Sequence, residues 1–149
     1  MQHALVTSDP TFLAYVVAST VLCLNLLWLW VASGAVRARG GVAINPEDGA
    51  RYGVRVSESD PPSVARYLRA HRNAEATIYP FLLLGLVYVL AGGSVRIAIP
   101  IFALFVIARL AHSMVYLRAI QPWRTIAFAT SLMATMTLML AILYVLTSA

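Results

Sequence analysis

The chain has no lysine, a single cysteine and only six acidic residues among 149. Charged residues amount to 11%, less than half the quarter usual for soluble domains. Set against 60% hydrophobic residues, that shortage excludes disorder, fibrous repeats and an ordinary soluble globule. The lone Cys23 excludes an internal disulfide. It lies inside an apolar run, where it reads as a small packing residue. There is no glycine-rich phosphate loop, no ordered Ser/His/Asp set and no haem or flavin signature. No metal site is expected around His71 or His112. The net charge of +5 comes without any nucleic-acid motif, so it is read as membrane topology and affinity for anionic lipid, with no nucleic-acid partner.

What remains is apolar and long. Residues 10–36, 76–95 and 125–149 carry no charge, and 97–117 carry only Arg109. Each stretch is long enough to cross about 30 Å of hydrocarbon. Four spans are predicted, near 11–36, 66–91, 95–118 and 122–147, with a soluble loop over 37–62. The fold class expected is all-α, an integral membrane four-helix bundle in one domain. Loop one and the span ends beside loops one and three hold nine of the eleven arginines; Arg109 lies within its span, and Arg96 alone lies beside loop two. The positive-inside rule therefore places loops one and three in the cytoplasm. The first run has no basic leader and is too long for a signal-peptide core, so it is read as a span. A basic set made only of arginine is what a GC-rich genome gives, and it favours a bacterial inner membrane over the endoplasmic reticulum.

Local signals refine the boundaries. Asn45-Pro46-Glu47-Asp48 predicts a short surface helix over 46–52 with Asn45 as its cap. Asp60-Pro61-Pro62 predicts a second start, capped by Asp60, for a helix running from about Pro62 to Ala91. Pro80 and Pro100 are expected to kink their helices. Gly92-Gly93 is expected to stop the second span, Ser94 to cap the third and Pro122 to open the fourth.

Charged groups at membrane depth are costly and are functional candidates by default. On the second span Arg66, Arg69, Asn73, Ala76 and Pro80 share a face, and Arg72 is placed to pair with Glu75. On the third, Arg109, His112, Ser113 and Tyr116 share a face. On the fourth, Arg124 lies one turn before Phe128. Converging, these faces would make an arginine-rich pocket with Asn, His and Tyr as partners, suited to an anion with several carboxylates or phosphates. A structural ion pair is the plain alternative for Arg109, an interfacial anchor for the other arginines, and an ordinary helix-start acid for Asp48.

Arg69-Ala70-His71-Arg72-Asn73 and Thr77-Ile78-Tyr79-Pro80-Phe81, with Val36-Arg37, Asn45-Pro46-Glu47-Asp48, Ser59-Asp60-Pro61, Arg109-Leu110-Ala111-His112 and Tyr116-Leu117, resemble the membrane-associated proteins in eicosanoid and glutathione metabolism (MAPEG). The likeness covers almost the whole chain and is greatest to the microsomal prostaglandin E synthase type. It implies a homotrimer with glutathione bound between subunits. It also implies glutathione contacts from Arg37, Arg72, Asn73, His112, Tyr116 and Arg124, with Arg124 facing the thiolate. Arg69 and Glu75 join the candidate binding set, and Thr125 and Asp48 join Arg124 as candidate catalytic residues. Three positions depart from the family pattern. Ala76 stands where a glutamate is usual and Glu75 comes one residue early. Thr125 replaces a serine, and Phe128 replaces a tyrosine. The activity implied is attack of a glutathione thiolate on a lipophilic electrophile or peroxide dissolved in the bilayer. The alternatives are a prostaglandin-H to prostaglandin-E isomerase and a non-catalytic lipid-binding scaffold.

Overall fold

The structure is a computed structural model that describes residues 8–148. In chain order its elements are α1 (Pro10–Arg39), β1 (Val42–Ala43), α2 (Pro46–Tyr52), β2 (Arg55–Val56), α3 (Pro62–Leu90), α4 (Val95–Leu117) and α5 (Trp123–Ser148). The helices α1, α3, α4 and α5 are each long and apolar enough to cross a membrane, and they are the four predicted spans. One boundary moves, since α1 runs on to Arg39; α3 begins at Pro62, where the Asp60-Pro61-Pro62 signal puts it. Pro80 and Pro100 lie inside continuous helices.

Helix ends follow side-chain chemistry, with two corrections. Asp9 caps α1 by accepting from Thr11 N at 2.9 Å. Ser94 caps α4, accepting from Arg96 N at 3.3 Å. Gly92, at φ +74°, carries the chain out of α3 through a left-handed turn that most side chains resist. Asn45, however, makes no side-chain cap to α2; its amide donates instead to Asp48 Oδ2 at 3.2 Å. Asp60 does not cap α3 either. Pro61 holds that position, and the Asp60 carboxylate turns to Arg37. At Asp60 the Arg37 guanidinium outcompetes the backbone N–H for the carboxylate, and at Asn45 the amide nitrogen turns to Asp48. Pro122 precedes α5 rather than joining it, its carbonyl accepting from Thr125 N and Ile126 N.

The sequence reading left the two short strands of loop one out. They pair in parallel, Val42 opposite Arg55 and Ala43 opposite Val56. Two-residue strands are too short to show an alternating pattern. Gly49 lets α2 lie against them, since a Cβ there would overlap the Val56 side chain.

In the bundle, α4 packs against both α5 and α1, and α1 packs along α3. Leu22, Leu29, Ile78, Phe81, Phe105 and Leu138 are fully buried at the centre. Phe81 stacks on Phe105 with rings 3.6 Å apart. Alanines at 70, 74, 98 and 134 are buried at the helix contacts, the small residues that let membrane helices approach closely. At Gly85 an added Cβ would lie 3.1 Å from the Tyr15 ring. Outside, Leu83, Leu90, Ile107, Met133, Leu140 and Leu143 stand exposed. Such a shell is stable only against lipid or other apolar surface.

Candidate functional site

Within the bundle, buried polar groups are expensive unless hydrogen-bonded. Near loop two the requirement is met. Thr11 Oγ1 donates to Gly93 O at 3.0 Å, and Tyr88 Oη donates to Ser94 O at 3.1 Å. Between α1 and α4, Asn25 Nδ2 donates to Ser113 Oγ at 3.1 Å.

One turn along α4 it is not met. Arg109 is fully buried, yet its one hydrogen bond runs from Nη2 to Asn73 Oδ1 on α3, at 3.1 Å. Its Nε and Nη1 have no partner, nor has His112 Nδ1. These are the buried side-chain N and O atoms without a hydrogen bond among the described residues. The ion-pair alternative for Arg109 is therefore corrected. Among the described residues Arg37 pairs with Asp60, and the His71 ring meets Glu75; Arg109 belongs to neither contact.

The shared face predicted on α4 divides among three neighbours. Ser113 turns to α1, Arg109 to α3, and His112 and Tyr116 to α5. The His112 ring lies 5.5 Å from that of Tyr116 and 6.2 Å from that of Phe128. The Arg124 guanidinium lies over the Tyr116 ring, 5.1 Å from its centre, a cation–π contact. Gln121 holds it from the other side. With its amide oxygen toward the guanidinium, Gln121 accepts from Arg124 Nη2 at 2.7 Å and Nε at 3.1 Å. Its nitrogen then donates to Thr125 Oγ1 at 3.2 Å. Gln121 escaped the sequence reading because it sits in a loop before a proline, outside any helical period. Its one signal was the four-residue spacing to Thr125.

So Asn73 and Arg109 pair between α3 and α4, and His112, Tyr116, Arg124 and Thr125 follow in a second set between α4 and α5; together they make up the polar centre of the bundle. Other candidates stand apart. Arg69 and Arg72 are exposed on α3, without a hydrogen bond or ion pair. The predicted Arg72–Glu75 pair is absent. Glu75 instead meets His71 Nδ1 at 3.4 Å and accepts from Tyr79 Oη at 3.3 Å. Both alternatives lie within one helical turn, and the i, i+4 geometry prevails. Arg37 is clasped by Asp60 at 2.7 Å. With Asp48 and Tyr52 it lines a separate cavity of about 300 Å³ between the end of α1 and loop one.

The centre holds two guanidinium groups and no carboxylate, with buried nitrogens left unpartnered and exposed arginines nearby on α3. Such a set suits a ligand that brings its own negative charge.

The chain is 36% identical over 143 residues to human (Homo sapiens) prostaglandin E synthase, covering 95% of this chain and 94% of that protein. It is 41% identical over 110 residues to the rat (Rattus norvegicus) prostaglandin E synthase, covering 73% of this chain and 71% of that one. It is also 34% identical over 129 residues to pig (Sus scrofa) microsomal glutathione S-transferase 1, covering 80% and 81%. The MAPEG family profile matches residues 15–144. With four membrane-length apolar helices and that match over most of its length, the chain is an integral membrane protein belonging to the MAPEG family.

Proposed function

We propose that this protein is a glutathione-dependent membrane transferase that activates the glutathione thiolate toward lipophilic electrophiles or peroxides. The observation that carries the reading is the acid-free polar centre with unpartnered buried nitrogens on Arg109 and His112. Relatives named as glutathione S-transferase and prostaglandin E synthase support it. Glutathione fits the donor set. It brings two carboxylates for the arginines, and a thiol whose anion a guanidinium favours.

Arg72, Asn73, His112 and Tyr116 would hold the peptide frame. Arg69 and Glu75, also on α3, would extend that hold. In a homotrimer, Arg37 at the end of α1 and Asp48 on α2 would complete the site of a neighbouring subunit. Arg124 is the residue for the sulfur. A cysteine-type thiol ionises near pH 8.5, so about 3% is thiolate at pH 7. Favouring the anion by about 2.7 kcal/mol raises that share to roughly three-quarters. A guanidinium in a partly dry site, beside the positive start of α5, can supply this. Thr125 offers a hydroxyl to the same sulfur. Its bond to Gln121 places it beside Arg124 without occupying the hydroxyl's full capacity. The electrophile enters from the bilayer between helices, and the peptide from the side of loops one and three, taken as cytoplasmic.

The narrower reading, a prostaglandin-H to prostaglandin-E isomerase, is favoured by the 36% identity that spans 95% of the chain. One assay in detergent micelles separates these from a scaffold. Glutathione conjugation of an aryl halide, run beside hydroperoxide reduction and prostaglandin-H turnover, is expected to proceed above the uncatalysed rate in at least one arm. Absence of all three activities, with no glutathione binding by calorimetry, overturns the proposal.

A further inference from the structure

Arg109 is a poor choice for stability alone. A guanidinium taken out of solvent with one neutral hydrogen bond leaves most of its charge and donors uncompensated, which costs stability. Its one contact has a direction. Arginine has donors only, so it can meet Asn73 solely at the amide oxygen. That fixes the Asn73 amide: Oδ1 points at Nη2 of Arg109, 3.1 Å away, and Nδ2 points elsewhere. A flipped amide would set NH2 against a guanidinium. Asn73 is half-buried, and Nδ2 has no partner among the described residues. A cationic donor on Oδ1 also polarises the amide, which strengthens donation from Nδ2.

We propose that Arg109 is a positioning residue which locks Asn73 as a one-way donor toward an acceptor group, a carboxylate or peptide carbonyl, on the bound ligand. The inference rests on the glutathione reading for the identity of that ligand. The contact itself can be tested without it.

The chain contains three asparagines, Asn25, Asn45 and Asn73, so selective 15N-asparagine labelling gives three side-chain amide pairs. In ligand-free protein, Arg109→Met is expected to move the Asn73 amide signals and leave those of Asn25 and Asn45 in place. Arg109→Lys, which keeps a donor and the charge, is expected to restore them in part and guards against a Met variant that fails to fold. The Met variant is expected to be at least as heat-stable as the wild type. Its glutathione dissociation constant is expected to rise about five- to tenfold, with saturated turnover within twofold. Adding Arg109→Met to Asn73→Ala is expected to weaken binding by much less than the two single changes together, because both remove the Asn73 contact. Unmoved Asn73 signals overturn the proposal, as does undiminished glutathione binding in the Met variant while Asn73→Ala binds weakly. If the wild type itself binds no glutathione, the proposed function fails, and the amide spectrum alone decides whether Arg109 locks Asn73.

Discussion

The polar groups near loop two and those of the Asn73–Arg109–His112 centre are treated in opposite ways. Near loop two, Thr11, Tyr88, Gly93 and Ser94 close on one another. The Gly93 position is so tight that a Cβ would overlap the Tyr88 ring. In the other region, two guanidinium nitrogens and an imidazole nitrogen are buried without partners. Since folding gains nothing from such unpartnered nitrogens, the difference separates a clasp that holds helices together from a region shaped for something outside the chain. The first should respond to mutation in stability, the second in binding and turnover.

The largest effect is expected from Arg124→Ala. If Arg124 stabilises a thiolate, saturated turnover should fall about 10²- to 10³-fold, as when a preorganised electrostatic group is removed. Steady-state kinetics at saturating glutathione, with calorimetric binding as the control, checks this. A comparable loss in affinity with turnover intact would instead make it an anchor for the peptide.

Asn73→Ala or Arg72→Ala should act on affinity. Loss of one charge-assisted hydrogen bond costs about 1.5–3 kcal/mol, roughly 10- to 150-fold in the dissociation constant. Calorimetry in micelles measures it, and normal binding in both variants would remove α3 from the site. Thr125→Val keeps the shape and loses the hydroxyl. Turnover should drop about tenfold, near 1.4 kcal/mol, without a matching loss of affinity.

The smallest functional effect belongs to the clasp. Thr11→Val removes a buried hydrogen bond and leaves Gly93 O without its partner. It should cost about 1–3 kcal/mol of stability, read as a lower melting temperature. Glutathione affinity and turnover of the folded fraction should stay within twofold. A loss of affinity as large as that of Asn73→Ala would erase the distinction between the two regions.

Much of this was legible in the residues. Long charge-free runs leave few choices, because a backbone in lipid must satisfy itself as helix, and all four spans follow. The facing of individual polar groups was less legible. Helical spacing placed Arg109, His112, Ser113 and Tyr116 on one face. A face in a bundle meets several neighbours, and only packing decides that Ser113 goes to Asn25 and Arg109 to Asn73. Competition between near-equal partners was also hidden. Asp60 had a backbone N–H and Arg37 within reach, and Glu75 had Arg72 and His71. Charge and register decide such contests by about 1 kcal/mol, finer than a sequence pattern resolves.

The most direct measurement is a structure with glutathione bound. The account predicts a peptide acceptor within hydrogen-bonding distance of Asn73 Nδ2, the rest of the peptide against His112, Tyr116 and Arg72, and the sulfur beside Arg124. A peptide seated at the loop-two clasp, or confined to the cavity of Arg37 and Asp48 with Asn73 and Arg124 untouched, would contradict it.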